Sequence, residues 1–249
     1  MTYESFEPRV FPLLIYYIGL AIFSVVLTLK MVAKWKERKV QPPLLMAFIF
    51  GIITAALAMM SAGLADAAAT GYYMELYRFS LPFGYCMIVI MDIVLYKFAI
   101  VITNRGQRAL VPVIIIGIVL GIILMLPWNW WGIPSQDIVG QLSIRLYSTL
   151  GLIAFSYTVY LTIARVCHLA MKDAKDPVAH AGLRLMFWSM ICMVLFFLML
   201  VLDTVLIVAF DHPGYSEFVY VAWIFALVFY VLMYLAVVMP EGFVKLLRK

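Results

Sequence analysis

The chain has 249 residues, of which 66% are hydrophobic and only 12% charged, and its mean hydropathy is +1.06. A soluble domain is nearer ~45–50% apolar and ~25% charged, so the composition excludes a cytosolic enzyme, a disordered tail and a disulfide scaffold. A net charge of +5 would suit an acidic or nucleic-acid partner if it formed one patch, but the basic residues stand at the ends of apolar runs, where membrane topology needs them.

Seven apolar runs reach the ~20 residues that carry a helix across ~30 Å of hydrocarbon. The first covers about residues 11–31 and is followed by Lys34, Lys36, Arg38 and Lys39. Pro42-Pro43 opens the second, about 43–63, because the missing amide donors cost little in a first turn. Tyr72, Tyr73, Tyr77 and Arg78 precede the third, about 81–103, and Asn104-Arg105-Gly106 separates it from the fourth. That fourth run, about 109–131, closes on Trp128, Trp130 and Trp131, rings that prefer the headgroup layer. The fifth, about 142–169, has Arg145 at its start, and Asp176-Pro177 breaks the link to the sixth, about 183–210. Asp211-His212-Pro213-Gly214 turns the chain into the seventh, about 218–239, which Pro240 closes. The runs are continuously apolar rather than alternating, which excludes a β-barrel. The expected fold is an all-α integral membrane protein, one seven-transmembrane helix bundle over residues 1–249.

Charge sets the expected orientation. With the N-terminus outside, the inner segments hold Lys30, Lys34, Lys36, Arg38, Lys39, Arg105, Arg108, Arg165, Lys172, Lys175, Arg184, Lys245, Arg248 and Lys249. The outer segments hold only Arg9, Arg78 and Arg145, and Lys97 lies inside a span. This asymmetry places the C-terminus in the cytoplasm and the chain in the cell membrane as a multi-pass protein. Glu4 and Glu7 stand where a cleaved leader would be basic, so the first run is expected to persist as a helix.

Helices pack in lipid through small residues. Gly51, Ala55, Ala58 and Ala62 recur at three- and four-residue spacing in the second span, so they share a face, and that helix is expected to be the tightly surrounded one. Gly117 and Gly121 form a GxxxG pair in the fourth, suited to packing inside the monomer or to a homo-oligomer.

Ionisable groups at membrane depth are costly and point to function. Asp92 lies near the middle of the third span, Lys97 follows five residues later, and Asp203 lies in the outer third of the sixth. At ~100° per residue, Asp92 and Lys97 stand ~140° apart on a helix, so they share no face. Lys97 is close enough to Asn104 to reach the inner headgroups along its stem. Asp92 has no such route and must face the protein interior, protonated, hydrogen-bonded or paired. Asp203 needs a partner, and Arg145 or Arg78 could supply it. Asp66, Glu75, Arg78, Asp137, Arg145, Asp203, Asp211 and Glu217, with many tyrosines, form an outer polar and aromatic rim. Within it Arg78, Arg145, Asp203 and Glu217, with Asp92 and Lys97 deeper, are the candidates for ligand binding or proton sensing.

Cys86, Cys167 and Cys192 fall within or at the edge of apolar runs with no CxxC, as packed thiols do. No Ser/His/Asp set, metal cluster or phosphate loop stands out, so the expectation is a protein that is no enzyme and holds neither metal nor cofactor. The seventh run has no lysine for a retinal Schiff base. The third ends Thr103-Asn104-Arg105 without a receptor-type acidic-Arg-aromatic triplet, and His168, His180 and His212 lie at ends or loops rather than in an intramembrane zinc site.

Tyr77-Arg78-Phe79 with Pro82 opens the third span, and Met239-Pro240-Glu241-Gly242-Phe243-Val244-Lys245 leaves the seventh. In these features and in topology the chain resembles the seven-helix N-terminal input modules of prokaryotic sensor kinases, found also as free-standing archaeal proteins. The resemblance implies a sensor. No kinase-, PAS- or GGDEF-like output follows to Lys249, so it also implies a separate cytoplasmic signalling partner. Two other readings stay open: a structural subunit of a larger membrane complex, and a small proton or ion transport protein using Asp92.

Overall fold

A computed structural model of the chain describes Tyr3 and residues 5–130, 144–210, 212 and 215–239. Seven α-helices run through the described residues: α1 (Phe11–Arg38), α2 (Gln41–Thr70), α3 (Glu75–Thr103), α4 (Leu110–Met125), α5 (Ile144–Asp173), α6 (Pro177–Phe210) and α7 (Glu217–Val238). Each, α4 together with the 3-10 turn Gln107–Ala109 before it, carries a stretch long and apolar enough to cross a bilayer. Asp137, Trp131, Asp211 and the segment from Pro240 to Lys245 lie outside the described residues, and so does the side chain of Arg145.

Helix ends depart from the expected spans where capping or proline decides them. α2 continues past residue 63 because Ala65 and Ala67 to Ala69 are strong helix formers. It stops where Gly71 takes a left-handed φ of 76° and its amide reaches the Ala67 carbonyl. α3 starts at Glu75, and Pro82 sits inside it, withholding the amide that the Arg78 carbonyl would otherwise accept. α4 ends at Met125, well before residue 131, because Pro127 drives Leu126 into an extended conformation with ψ of 143°. Its last carbonyls are met by side chains: the Asn129 amide donates to Ile123 at 2.6 Å and the Trp130 indole to Met125 at 3.2 Å. α6 begins at Pro177, earlier than residue 183, and the preceding Asp176 carboxylate accepts the Ala179 amide at 3.1 Å.

The chain divides into two compact units. One holds Met1–Val40, Leu44–Leu95 and Ala109–Ser156; the other holds Gln41–Pro43, Tyr96–Arg108 and Tyr157–Lys249. In the first unit, Ser24 of α1 donates to the Phe50 carbonyl of α2 at 2.8 Å. α2 meets α3 where Gly63 lies against Ser80, so close that a Cβ on Gly63 would stand 2.5 Å from its hydroxyl. α4 meets α3 and α5 at Gly117, where a Cβ would stand 2.7 Å from Ile93 and 3.2 Å from Phe155. Gly121 faces Cys86 more loosely, at 3.6 Å. Both halves of the GxxxG pair therefore pack inside this unit. The outer face of α4 is a row of aliphatics, Val111, Ile115, Ile118, Val119 and Ile122, all exposed as a lipid-facing helix requires.

The alanine stripe of α2 lies otherwise than expected. Ala55, Ala58 and Ala62 are exposed and Gly51 is half-buried. The buried face is the neighbouring one, Ile53, Ala56, Leu57, Met60 and Leu64. Larger aliphatic side chains lose more apolar area on burial than alanine methyls do, and they set the rotation of the helix.

In the second unit α6 packs on α7. Phe196 meets Trp223 edge-on at 5.3 Å, and Gly182 lies under Met239 and the Ala236 carbonyl. Tyr160 of α5 stacks on Phe197 of α6 at 6.0 Å. The Asn104–Arg108 turn is held by the Tyr96 hydroxyl, which donates to the Gly106 carbonyl at 2.9 Å, and by an ion pair between Arg105 and Asp173.

Candidate functional site

A polar and aromatic corner forms where the N-terminal segment crosses the α2–α3 turn, all within the first unit. The turn exists because Gly71 ends α2 in a conformation that a β-carbon disfavours. Its carbonyl then accepts the Phe6 amide at 2.8 Å, and Ser5 pairs with Tyr72 as an antiparallel bridge. These two links bring Tyr3 and Phe6 over the first turns of α3. Phe6 lies 5.7 Å from Tyr73, and Tyr73 lies 4.5 Å from Tyr77.

Arg78 stands inside this corner. Its guanidinium carbon is 5.1 Å from the Tyr3 ring centroid, a cation–π arrangement. Its Nη1 is 3.6 Å from Glu75 Oε1, an i, i+3 ion pair too long for a hydrogen bond. The Arg78 side chain is 11% exposed and that of Glu75 33%. Arg78 Nη1 and Glu75 Oε2 are both buried without a hydrogen-bond partner among the described residues. Glu75 opens α3, where the helix dipole favours an acid. On the next turn Phe79 meets Trp130 edge-on at 5.2 Å.

Asp92 is fully buried, and the Ser156 hydroxyl of α5 donates to its Oδ2 at 2.6 Å. Lys97 is exposed, so Asp92 and Lys97 stand in different surroundings. Asp203, 9% exposed, accepts the Ser216 backbone amide at 2.8 Å through Oδ1. Its carboxylate is thus held at the amino end of α7, where helix dipole and free amides favour an anion. Glu217 is exposed in the first turn of the same helix.

Arg78, Asp92 and Asp203 each have their own local partners. Arg78 belongs with Glu75 and the tyrosines, Asp92 with Ser156, and Asp203 with the start of α7. Sequence reasoning missed Tyr3, Ser156 and Ser216. The available signal was a serine inside an apolar run at the depth of Asp92. Among the described residues no group of three His, Cys, Asp or Glu side chains is placed to hold a metal ion.

Seven helices of this length and apolarity define a multi-pass integral membrane protein. No family model matches the chain, and no curated protein or solved structure matches it significantly. The likeness to sensor-kinase input modules accordingly has no support from a family match.

Proposed function

We propose that this chain is a receptor-like sensor module of the cell membrane, with no enzymatic activity, whose binding site is the corner of Tyr3, Tyr73, Glu75, Tyr77 and Arg78. The positive-inside asymmetry of the sequence puts that corner on the outer face. The observation that carries the reading is Arg78: an almost fully covered guanidinium, roofed by Tyr3, with a buried donor that no described residue accepts from. Such a donor is costly unless something meets it, and guanidinium forks suit carboxylate and phosphate oxygens. A ligand held there would fasten the N-terminal segment to the start of α3, and the bias in that helix would be read by a partner on the basic inner face.

The test is thermal unfolding of the purified full chain against a panel of phosphate- and carboxylate-bearing small molecules. At least one should raise the Tm of the wild type and leave Arg78→Gln unmoved, with Arg78→Lys between them. A panel in which no compound separates wild type from Arg78→Gln overturns the reading.

Two other readings each have one observation in their favour. The exposed alanine stripe of α2 favours a subunit of a larger complex or a homo-oligomer, since alanine-faced helices approach one another closely. The buried Asp92–Ser156 pair favours a small proton or ion transport protein.

A further inference from the structure

We infer that the ligand of the Arg78 corner is a zwitterion: a cationic amine joined by a short linker to a phosphate or carboxylate. The inference rests on reading the corner as a binding site and adds the chemical class of what binds.

The argument begins with two opposite charges that do not satisfy each other. Glu75 and Arg78 are one helical turn apart, yet their closest approach is 3.6 Å, beyond hydrogen-bond length. Each keeps a buried polar atom, Glu75 Oε2 and Arg78 Nη1, without a partner among the described residues. A simple anion would meet Arg78 but would set a second negative charge beside Glu75. A simple cation would meet Glu75 but would stand beside the guanidinium. A molecule carrying both charges sets each of them beside its opposite in a largely covered site, where an unpaired charge is most costly.

The walls agree with this class. Tyr3, Tyr73 and Tyr77 bring three electron-rich rings to the same corner, and Phe6 packs on Tyr73. Aromatic faces attract alkylated ammonium groups, while a guanidinium fork attracts oxyanions. The corner lies at a helix end of a membrane protein, so the same chemistry could arrive as a free solute or as the headgroup of a zwitterionic phospholipid.

The experiment uses the full chain in nanodiscs of phosphatidylglycerol alone, which supplies no zwitterion. Phosphocholine and glycine betaine are titrated by calorimetry against inorganic phosphate and tetramethylammonium chloride. The zwitterions should bind about tenfold or more tighter than either single ion, the factor one additional charge-assisted contact supplies. Glu75→Gln should lower phosphocholine affinity toward that of phosphate while leaving phosphate binding equal or tighter, since the repulsion is gone. Tyr3→Ala should weaken the zwitterions more than phosphate. Doping the discs with phosphatidylcholine identifies the source. A lipid occupant raises the Tm of wild type but not of Arg78→Gln and competes with free phosphocholine; a soluble occupant is bound regardless of the doping. Equal affinity for phosphate and phosphocholine, insensitive to Glu75→Gln but lost in Arg78→Gln, overturns the zwitterion and leaves the corner as an anion site. Binding of none of the four probes overturns the zwitterion as well, and the corner's wider role then rests on the panel of phosphates and carboxylates.

Discussion

Ser156 of α5 donates its hydroxyl to the Asp92 carboxyl of α3 across 2.6 Å, with both side chains wholly removed from solvent. Beside this bond, Gly117 lets α4 close on Ile93 and Phe155, the chain neighbours of the two partners. One buried polar link thus sits beside a close helix contact in the first unit. Removing its donor leaves an acid buried with one hydrogen bond fewer. Ser156→Ala should therefore destabilise the protein by about 1–3 kcal/mol, measured by denaturant unfolding in detergent micelles. Asp92→Asn keeps an acceptor for Ser156 and should cost less than Asp92→Ala. The same variants separate transport from structure. If Asp92 relays protons, Asp92→Asn abolishes a flux that wild-type proteoliposomes display; equal dye signals from wild-type and protein-free liposomes sink that role.

Asp203 illustrates a different solution to a charge at depth. Among the described residues its partner is a backbone amide, that of Ser216. The acid works from α6 as a cap for α7, and it ties the two ends of that hairpin. Asp203→Ala should cost about 0.5–2 kcal/mol, the range for losing an N-terminal cap. Asp203→Asn, which retains the acceptor, should recover most of it. Amide exchange localises the effect: protection should fall in the first turn of α7 and stay unchanged in its last. An even loss along the whole chain would show that Asp203 serves something other than the cap.

The seven crossings were legible because an apolar run is a local property, written in consecutive residues. Their ends were not, since they depend on single turns such as the Gly71 stop of α2 and the extended Leu126 before Pro127. Asp92 could be read as buried from its depth, but Ser156 lies 64 residues away and only packing joins them. Arg78 could be singled out as a charge at a span's opening, while its roof, Tyr3, is brought there by the Phe6–Gly71 link. The rotation of α2 was not legible, because its two faces are both apolar and spacing alone does not say which one turns inward.

The glycines of α4 are unequal, and the difference can be measured. A methyl added at Gly117 meets Ile93 at 2.7 Å, whereas one added at Gly121 meets Cys86 at an ordinary 3.6 Å. Gly121→Ala should be neutral or slightly stabilising, because alanine also favours the helix. Gly117→Val forces Ile93 and Phe155 aside and should cost about 1–3 kcal/mol. The contrast should hold in monomeric protein at high detergent dilution. Equal sensitivity at both positions would mean that the pair acts together in contacts between chains.

The outward alanines of α2 distinguish a solitary module from a member of an assembly. Ala55, Ala58 and Ala62 are exposed, unlike the bulky aliphatics that α1 and α4 turn outward. A leucine at any of these positions has room in a monomer, so Ala55→Leu or Ala58→Leu should shift monomer stability by no more than about 0.5 kcal/mol. Where another helix lies against the stripe, the same leucine holds the two backbones apart and close packing is lost. Native mass spectrometry in mild detergent reads the result directly. An oligomer in wild type that falls to monomer in Ala58→Leu, with thermal stability unchanged, assigns the stripe to contacts between chains. A wild type that is monomeric at every concentration removes the homo-oligomer and leaves those alanines facing lipid.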